Sequence, residues 1–326
     1  MEIFTEALEL FPNIENGVTP TSLSNVNFFQ QTTHKISQPT DYHAGIVILF
    51  SGKKIMHFAE QEFIYNAKEY VVSSMLLHAQ CETCATPEEP VKGIFVGFTQ
   101  EQLRELIALM NLQTQNRPFE RETIGSSIGI SQMTPEFKES VLRLLKCLQH
   151  EDEVKILGEG LKRELIYRAL CGEQRDLLLK LALPSAPISQ ISKVISFLEA
   201  NYSNDINIDD LAKSVNMSIS SFYRVFKEVT SDSPNQYLKK LRLNKARDLI
   251  IQKNVKAYIA ALEVGYQSPS QFSREFKRFF GSTPATLTEL GKKSPTSKVV
   301  RWIAEIYLTV FQTLCHNVIE PWDTRG

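Results

Sequence analysis

At 326 residues, the chain is long enough to form two domains, each with a sizeable hydrophobic core. Its hydrophobic and charged fractions, 43 % and 22 %, are ordinary for a soluble globular protein, and its longest apolar runs are far too short to span a bilayer. The net charge of −1 conceals an asymmetry: residues 1–187 carry 17 Lys and Arg against 24 Asp and Glu, whereas residues 188–293 carry 16 against 10. This distribution predicts that only the basic part meets a polyanion.

The first residues lack the charged-then-apolar pattern of a secretory signal. We therefore expect a cytoplasmic protein without a membrane segment. In that compartment the five cysteines are expected to be reduced rather than paired in disulfides.

The first 130 residues mix short apolar runs with turn residues, which predicts strands of a small, mostly antiparallel sheet or barrel. The runs lie at residues 46–50, 70–77 and 93–98. Apolar residues then recur at helical spacing, which predicts helices at 100–112, 135–150 and 152–171. The last of these helices should bury Leu157 among its apolar side chains. The stripes of the last two helices pack either on the barrel or against a second subunit.

Residues 183–189 contain two prolines and two serines, which predicts an interdomain linker. The spacing after this segment is helical almost throughout, and it predicts helices at 188–202, 208–214, 218–230, 234–252, 256–263 and 268–280. Ser218 is the expected N-cap of the third helix. The fourth helix is very basic, with five Lys and Arg in 19 residues.

Two of these helices repeat one sequence. Residues 218–227 and 268–277 match at six of ten positions with an offset of fifty residues. A short helix is predicted before each copy, and a short helix followed by a second one is the arrangement of a helix-turn-helix. The phenylalanines of both copies fall on one face, which predicts that this face is buried: Phe222, Phe226, Phe272, Phe276 and Phe279.

The opposite face carries the residue types that contact DNA. Arg can donate two hydrogen bonds to a guanine edge and Gln can pair with adenine, whereas Lys and Ser more often bind phosphate. A solvated basic face on a helical bundle is the alternative, but two such faces in register within a basic domain favour DNA binding. The predicted DNA-binding residues are Ser220, Tyr223, Arg224, Lys227, Ser270, Gln271, Ser273, Arg274 and Lys277.

Residues 208–290 resemble the DNA-binding domain of AraC/XylS-type transcriptional regulators. The matching parts are residues 211–227, the motif SP-x-x-Y at 233–237, residues 241–250 and residues 264–281. The resemblance implies an all-α domain, residues 188–291, in which two helix-turn-helix units joined by a linker helix bind double-stranded promoter DNA. One departure is Ser231, which stands where the second unit has Gly281. Glycine would supply a left-handed helix end at low cost, so the first unit is expected to end either with some strain or in a different turn.

Residues 1–185 resemble, more loosely, the N-terminal regulatory domains found on one branch of this family. The matching pieces are residues 52–74 and the acid-flanked prolines at 87–90. The resemblance implies a cupin-like β-barrel with helices that senses a ligand or forms a dimer, so the expected fold class of the whole chain is α+β. Residues 292–326 form a tail that is expected to be helical, with no role that the sequence assigns.

Cys81 and Cys84 form the one local group with candidate chemistry. Two thiols three residues apart could be oxidised together as a sensor or supply half a metal site, and the alternative is two reduced cysteines near a strand end. His34, His43 and His57 lack the spacing of a compact ligand motif. The sequence therefore predicts no metal and no cofactor, and it shows no catalytic motif.

These features together predict a sequence-specific transcription regulator, an activator, that is not an enzyme. Its two helix-turn-helix units are expected to read adjacent major-groove segments of promoter DNA under the control of the N-terminal domain. RNA polymerase is an expected partner, while a small-molecule effector and a homodimer are left open. The alternative is a barrel-domain enzyme, or a metal or redox sensor, in which the N-terminal domain carries the main chemistry.

Overall fold

The computed structural model of the chain describes residues 2–110 and 127–286. The helical tail predicted at 292–326 lies outside the described residues, as does the end of the helix predicted at 100–112.

The N-terminal part is built from two antiparallel sheets that follow a short helix, α1 (Glu2–Glu9). The six-stranded sheet has the spatial order β1 (Gly17–Pro20), β2 (Val26–Gln31), β9 (Val91–Gly97), β4 (Gly45–Ser51), β7 (Glu69–Ser73) and β10 (Ile128–Gln132). The four-stranded sheet has the order β3 (Lys35–Tyr42), β8 (Leu77–Cys84), β5 (Lys53–Phe58) and β6 (Gln61–Asn66). All the recorded strand pairs are antiparallel.

This architecture confirms the predicted α+β class with a cupin-like N-terminal part, although the barrel is formed by two sheets and is not closed. The predicted strands at 46–50 and 93–98 are β4 and β9. The run at 70–77 is not one strand, because β7 ends at Ser73 and β8 begins at Leu77. The Ser73 hydroxyl donates to the carbonyl of Met75 at 2.9 Å, a local bond that replaces strand pairing at this corner.

Aromatic packing fixes helices to the outer face of the six-stranded sheet. Phe11, just after α1, contacts Phe28 and Phe50 edge-on, with ring centroids 5.3 and 6.0 Å apart. Tyr70 of β7 stacks on Phe137 with centroids 4.1 Å apart, which seats the helix α3 (Pro135–Cys147) on this sheet. These helices explain why β4 is buried along most of its length.

The remaining helices follow in chain order. They are α2 (Gln100–Leu109), α4 (Glu151–Leu170), α5 (Arg175–Ala182), α6 (Pro187–Asn201), α7 (Ile208–Ser214), α8 (Ile219–Thr230), α9 (Pro234–Gln252), α10 (Ala257–Glu263) and α11 (Pro269–Phe280). The prediction that Leu157 is buried is wrong: Ile156 and Leu157 of α4 are 81 % and 50 % exposed. Val154, Leu165 and Ile166 supply the buried face of α4 instead.

The chain divides into two compact units. The first combines Met1–Ile195 with Asp209–Pro234, so it contains both sheets together with α7 and α8. The second combines Ser196–Ile208 with the described residues from Asn235 to 286, so it contains α9, α10 and α11. The Ser127 hydroxyl donates to the carbonyl of Val229, a bond that joins the residue before β10 to the last turn of α8 within the first unit.

Among the described residues, no single helix is both long and apolar enough to cross a bilayer. The helices α5 and α6 meet that criterion only as a pair, with a bend of 66° between them.

Candidate nucleic-acid interface

The helix α8 begins and ends as its sequence predicts. Ser218 is the N-cap, and its hydroxyl accepts a hydrogen bond from the amide of Ser221 at 3.3 Å. Ser231 ends the helix in the left-handed conformation, with φ +65°, and its amide donates to the carbonyl of Lys227 at 2.8 Å. A serine held in this conformation is strained, because its Cβ crowds the following carbonyl.

The two faces of α8 have opposite characters. Phe222 and Phe226 are fully buried, as predicted, with ring centroids 5.5 Å apart. On the opposite face, Ser220, Arg224 and Lys227 are exposed, whereas Tyr223 is half-buried. The structure therefore brings these candidate residues together on one surface, and their contact with DNA stays a prediction.

The helix α11 has the same construction as α8, but its C-terminal end is not strained. The Ser268 hydroxyl accepts from the amide of Gln271 at 3.3 Å, and Pro269 occupies the first helical position. Gly281 ends the helix at φ +72°, which costs glycine nothing. Phe272 and Phe276 are fully buried, while Phe279 is half-buried. The predicted DNA-binding side chains of this helix are all exposed: Ser270, Gln271, Ser273, Arg274 and Lys277.

The repeat also covers the turns that precede α8 and α11, which the sequence comparison missed. Asn216 has φ +54° and Gly265 has φ +86°, so each turn contains one left-handed residue. The next amide in each turn makes an equivalent bond, from Met217 to Ala212 O at 3.0 Å and from Tyr266 to Ala261 O at 2.9 Å. Asn and Gly are the residue types that adopt this conformation most readily, so the two turns share a conformation without sharing a residue.

An ion pair with Glu228 orients the Arg224 side chain on the exposed face of α8. Nη1 of Arg224 lies 2.9 and 3.1 Å from the two carboxylate oxygens of Glu228, one helical turn away. Both partners are exposed to solvent, and such a pair contributes little to stability. Arg224 can therefore exchange this partner for a guanine edge or a phosphate at small cost.

Glu275 is the centre of a polar network on α11. Its carboxylate accepts hydrogen bonds from the hydroxyl of Tyr266 at 2.8 Å, from Nζ of Lys239 at 3.1 Å and from Nε2 of Gln271 at 3.3 Å. Burial opposes ionisation, but these hydrogen bonds outweigh it and hold the pKa of Glu275 below its usual value. Burial, together with the bond to Glu275, raises the pKa of Tyr266.

Sequence reasoning missed this network. The helical spacing of Gln271 and Glu275, four residues apart, was the available signal. The hydrogen bond to Glu275 orients the side chain of Gln271, which is one of the candidate base-reading residues.

Several basic residues of α9 bind the protein itself. Arg242 donates through Nε to the carbonyl of Tyr202 at 2.7 Å and through Nη2 to that of Asn204 at 2.8 Å, and burial lowers its pKa. Arg247 contacts Asp248 at 3.2 Å and lies 5.3 Å from the centroid of the Phe280 ring. The high charge of this helix is thus partly structural rather than a phosphate-binding surface.

Cys81 and Cys84 lie on opposite faces of β8. Successive side chains of a strand point to alternate sides, so residues three apart cannot share a face. Cys81 is buried and accepts a hydrogen bond from the Tyr42 hydroxyl, with oxygen and sulphur 3.2 Å apart. Cys84 is half-buried on the outer side. A bond between the two thiols would require this strand to change its conformation, and their action as a redox sensor stays a prediction.

The histidines at positions 34, 43 and 57 do not converge on the interior of the sheets. His34, His43 and His57 are all exposed. Nδ1 of His57 lies 3.7 Å from Glu62, and the His43 ring lies edge-on to Phe95. His34 is 3.5 Å from Glu82, next to Cys84.

Known families match both parts of this chain. Residues 22–177 match the AraC-type transcriptional regulator N-terminus, and residues 211–289 match a helix-turn-helix domain. The lactose operon transcription activator of Staphylococcus xylosus is 34 % identical over 237 residues, which are 70 % of this chain and 81 % of that protein. The chain belongs to the AraC family of transcriptional regulators.

Other AraC-type proteins match it over different lengths. The transcriptional regulator ArgR of Pseudomonas aeruginosa is 30 % identical over 147 residues, so the match spans 44 % of each chain. The solved structure of ToxT from Vibrio cholerae with a bound unsaturated fatty acid superposes with a TM-score of 0.56, covering 84 % of this chain and 96 % of ToxT at 10 % identity. The likeness to ToxT is one of fold.

Membership of the AraC family confirms the main predictions from the sequence. The chain is a transcription regulator with an N-terminal regulatory domain and a helix-turn-helix domain that binds DNA. The matched proteins are transcriptional regulators, and they give no support to the alternative that the N-terminal domain is an enzyme.

Proposed function

We propose that this AraC-family regulator activates transcription by placing α8 and α11 in adjacent major-groove segments of a promoter. The observation that carries the proposal is the repeated face, on which each copy presents an exposed arginine and lysine opposite two buried phenylalanines. The linking helix α9 has 19 residues and is therefore about 28 Å long, close to the roughly 34 Å that separates successive major grooves on one side of B-DNA.

Within this proposal, the side chains divide by chemistry. Arg224 and Arg274 would read bases, because arginine can donate two hydrogen bonds to guanine. Gln271 would pair with adenine. The other six candidates, Ser220, Tyr223, Lys227, Ser270, Ser273 and Lys277, would fix the register of each helix on sugar and phosphate.

The test is a set of binding titrations on a promoter found by genome-wide mapping of bound DNA. Arg224→Ala and Arg274→Ala should each weaken specific binding about 5- to 150-fold and relax discrimination at one base pair, because a bidentate pair contributes about 1–3 kcal/mol. Lys227→Ala and Lys277→Ala should weaken binding to all DNA sequences alike. Each should also reduce the slope of log affinity against log salt concentration by about one.

Arg163→Ala is the matched control, because Arg163 is an exposed arginine on α4 of the regulatory domain. Its DNA affinity should equal that of the unmodified protein. If both recognition-helix variants change the affinity by less than about twofold at physiological salt and keep the base preference, the assignment of these arginines is wrong.

We further propose that the protein acts in the cytoplasm as a homodimer that binds a small-molecule effector and contacts RNA polymerase. Exposed apolar side chains on α4 support the dimer, since Ile156 and Leu157 lie on the surface of the regulatory domain. Ile156→Glu with Leu157→Glu should give a monomer in sedimentation velocity, whereas Lys155→Glu on the same helix should not. A dimer that survives the double substitution contradicts this interface.

A further inference from the structure

Three potential metal ligands meet on the outer face of the four-stranded sheet: His34, Glu82 and Cys84. Glu82 and Cys84 are two residues apart on β8, so they share one face of the strand. His34 immediately precedes β3, whose first residue, Lys35, pairs with Thr83 between them. The strand register therefore places the imidazole beside the carboxylate and the thiol.

The distances among the ligand atoms fit a tetrahedral ion. Nε2 of His34 lies 3.5 Å from Oε1 of Glu82, and Sγ of Cys84 lies 3.7 Å from the same oxygen. In a tetrahedral zinc site, usual bond lengths put nitrogen and oxygen about 3.4 Å apart and sulphur and oxygen about 3.5 Å apart. All three ligand atoms lie within 4.8 Å of one another, so the site needs only small side-chain rotations to close.

The ligand types select among cations. Ca²⁺ and Mg²⁺ require several oxygen ligands, and this group offers one carboxylate. A thiolate, an imidazole and a carboxylate together suit Zn²⁺, and three protein ligands leave a fourth position for water or another small ligand.

The Glu82 carboxylate gives the cluster a negative charge, which attracts a cation. A divalent cation bound by the Cys84 sulphur would displace the thiol proton to solvent. The simpler alternative is a His34–Glu82 ion pair in which the Cys84 thiol donates a hydrogen bond to Glu82.

We propose that His34, Glu82 and Cys84 bind one Zn²⁺ ion on the regulatory domain, with the fourth coordination position open. This site uses one thiol of the Cys-x-x-Cys segment and leaves Cys81 in the core. Zinc there would tie the loop between β2 and β3 to the end of β8.

Cobalt substitution of the purified full-length protein tests the site directly. After treatment with a chelator, addition of Co²⁺ should produce a thiolate-to-cobalt charge-transfer band and the visible absorption of a tetrahedral ion, at one equivalent, and Zn²⁺ should bleach both. Competition against a chromophoric chelator then measures the affinity for zinc.

Each ligand substitution should weaken zinc binding by more than about a hundredfold, since loss of mere outer-shell partners already costs 10- to 100-fold. The variants are Cys84→Ser, His34→Ala and Glu82→Gln, at one exposed and two half-buried positions, and unchanged circular dichroism would show that the fold is retained. Cys171→Ser is the matched control, because Cys171 is an exposed thiol outside the cluster. The proposal is overturned if no charge-transfer band forms, if the band survives Cys84→Ser, or if Cys171→Ser removes it.

Discussion

Replacing Gly265 by alanine should destabilise the second helix-turn-helix much more than the same change at Gly281. Both glycines have left-handed φ, +86° and +72°, so alanine pays a backbone cost of about 1–2 kcal/mol at either position. A Cβ at Gly265 would lie 2.5 Å from the carbonyl oxygen of Ser203 and 3.2 Å from Nη2 of Arg242. Among the described residues, nothing lies within 4 Å of a Cβ at Gly281.

The clash at Gly265 cannot be relieved cheaply. The carbonyl of Ser203 belongs to the backbone, and Arg242 is held by its bonds to Tyr202 and Asn204. Overpacking of this kind costs about 1–3 kcal/mol more. We therefore expect a loss of about 2–5 kcal/mol for Gly265→Ala and about 1–2 kcal/mol for Gly281→Ala.

Urea unfolding of the full-length variants, followed by circular dichroism, measures both changes. Alanine restricts the unfolded chain equally at the two positions, so that contribution cancels in the comparison and the difference isolates the clash. If the free energies of unfolding of the two variants differ by less than about 0.5 kcal/mol, the close approach of Gly265 to Ser203 does not contribute to stability and the reasoning is refuted.

Three further changes test other parts of the structure. Ser231→Gly should raise the free energy of unfolding by about 0.5–1 kcal/mol in urea titrations, since glycine removes left-handed strain at the end of α8, and a loss of stability would contradict that strain. Glu275→Gln should destabilise the protein at neutral pH. The folded pKa of Glu275 is lowered, so its contribution to stability is fully present above the unfolded pKa of about 4.3 and disappears as the pH falls through the folded pKa. The free energies of unfolding of the variant and the unmodified protein should therefore converge in acid. A difference between them that stays constant below about pH 4 would be inconsistent with this network. Cys81→Ser with Cys84→Ser should abolish any oxidant-dependent change of DNA affinity, and a response that persists excludes these thiols as the sensor.

The helical part was predictable from the sequence because its signals are local. Ser218 caps its helix as expected, and the buried phenylalanines follow directly from helical spacing. The contacts of Arg242 with Tyr202 and of Glu275 with Lys239 could not be predicted, since the partners are distant in sequence and meet only in the folded unit.

Much of the sheet region escaped prediction for physical reasons. The strand β3 is polar and mostly exposed, so it has no apolar alternation to reveal it. The hairpin of β5 and β6 turns at Ala59 and Glu60, both with positive φ, whereas the sequence rule for such a turn looks for Asn-Gly or Asp-Gly. The cluster of His34, Glu82 and Cys84 was missed because His34 is far from the other two in sequence and is brought to them only by strand pairing.

The hydrogen bond between Ser127 and Val229 connects the N-terminal sheets to α8, and this connection has a consequence for how different promoters respond. The helix α8 belongs to the same compact unit as the two N-terminal sheets, whereas α11 packs in a core of the second unit. Under the proposed function, an effector that shifts the sheets would alter affinity for the half of the operator under α8 and leave the half under α11 unchanged. Promoters with a strong sequence under α11 and a weak one under α8 would then respond most steeply to that effector, so the operator sequence would set the strength of the response at each gene.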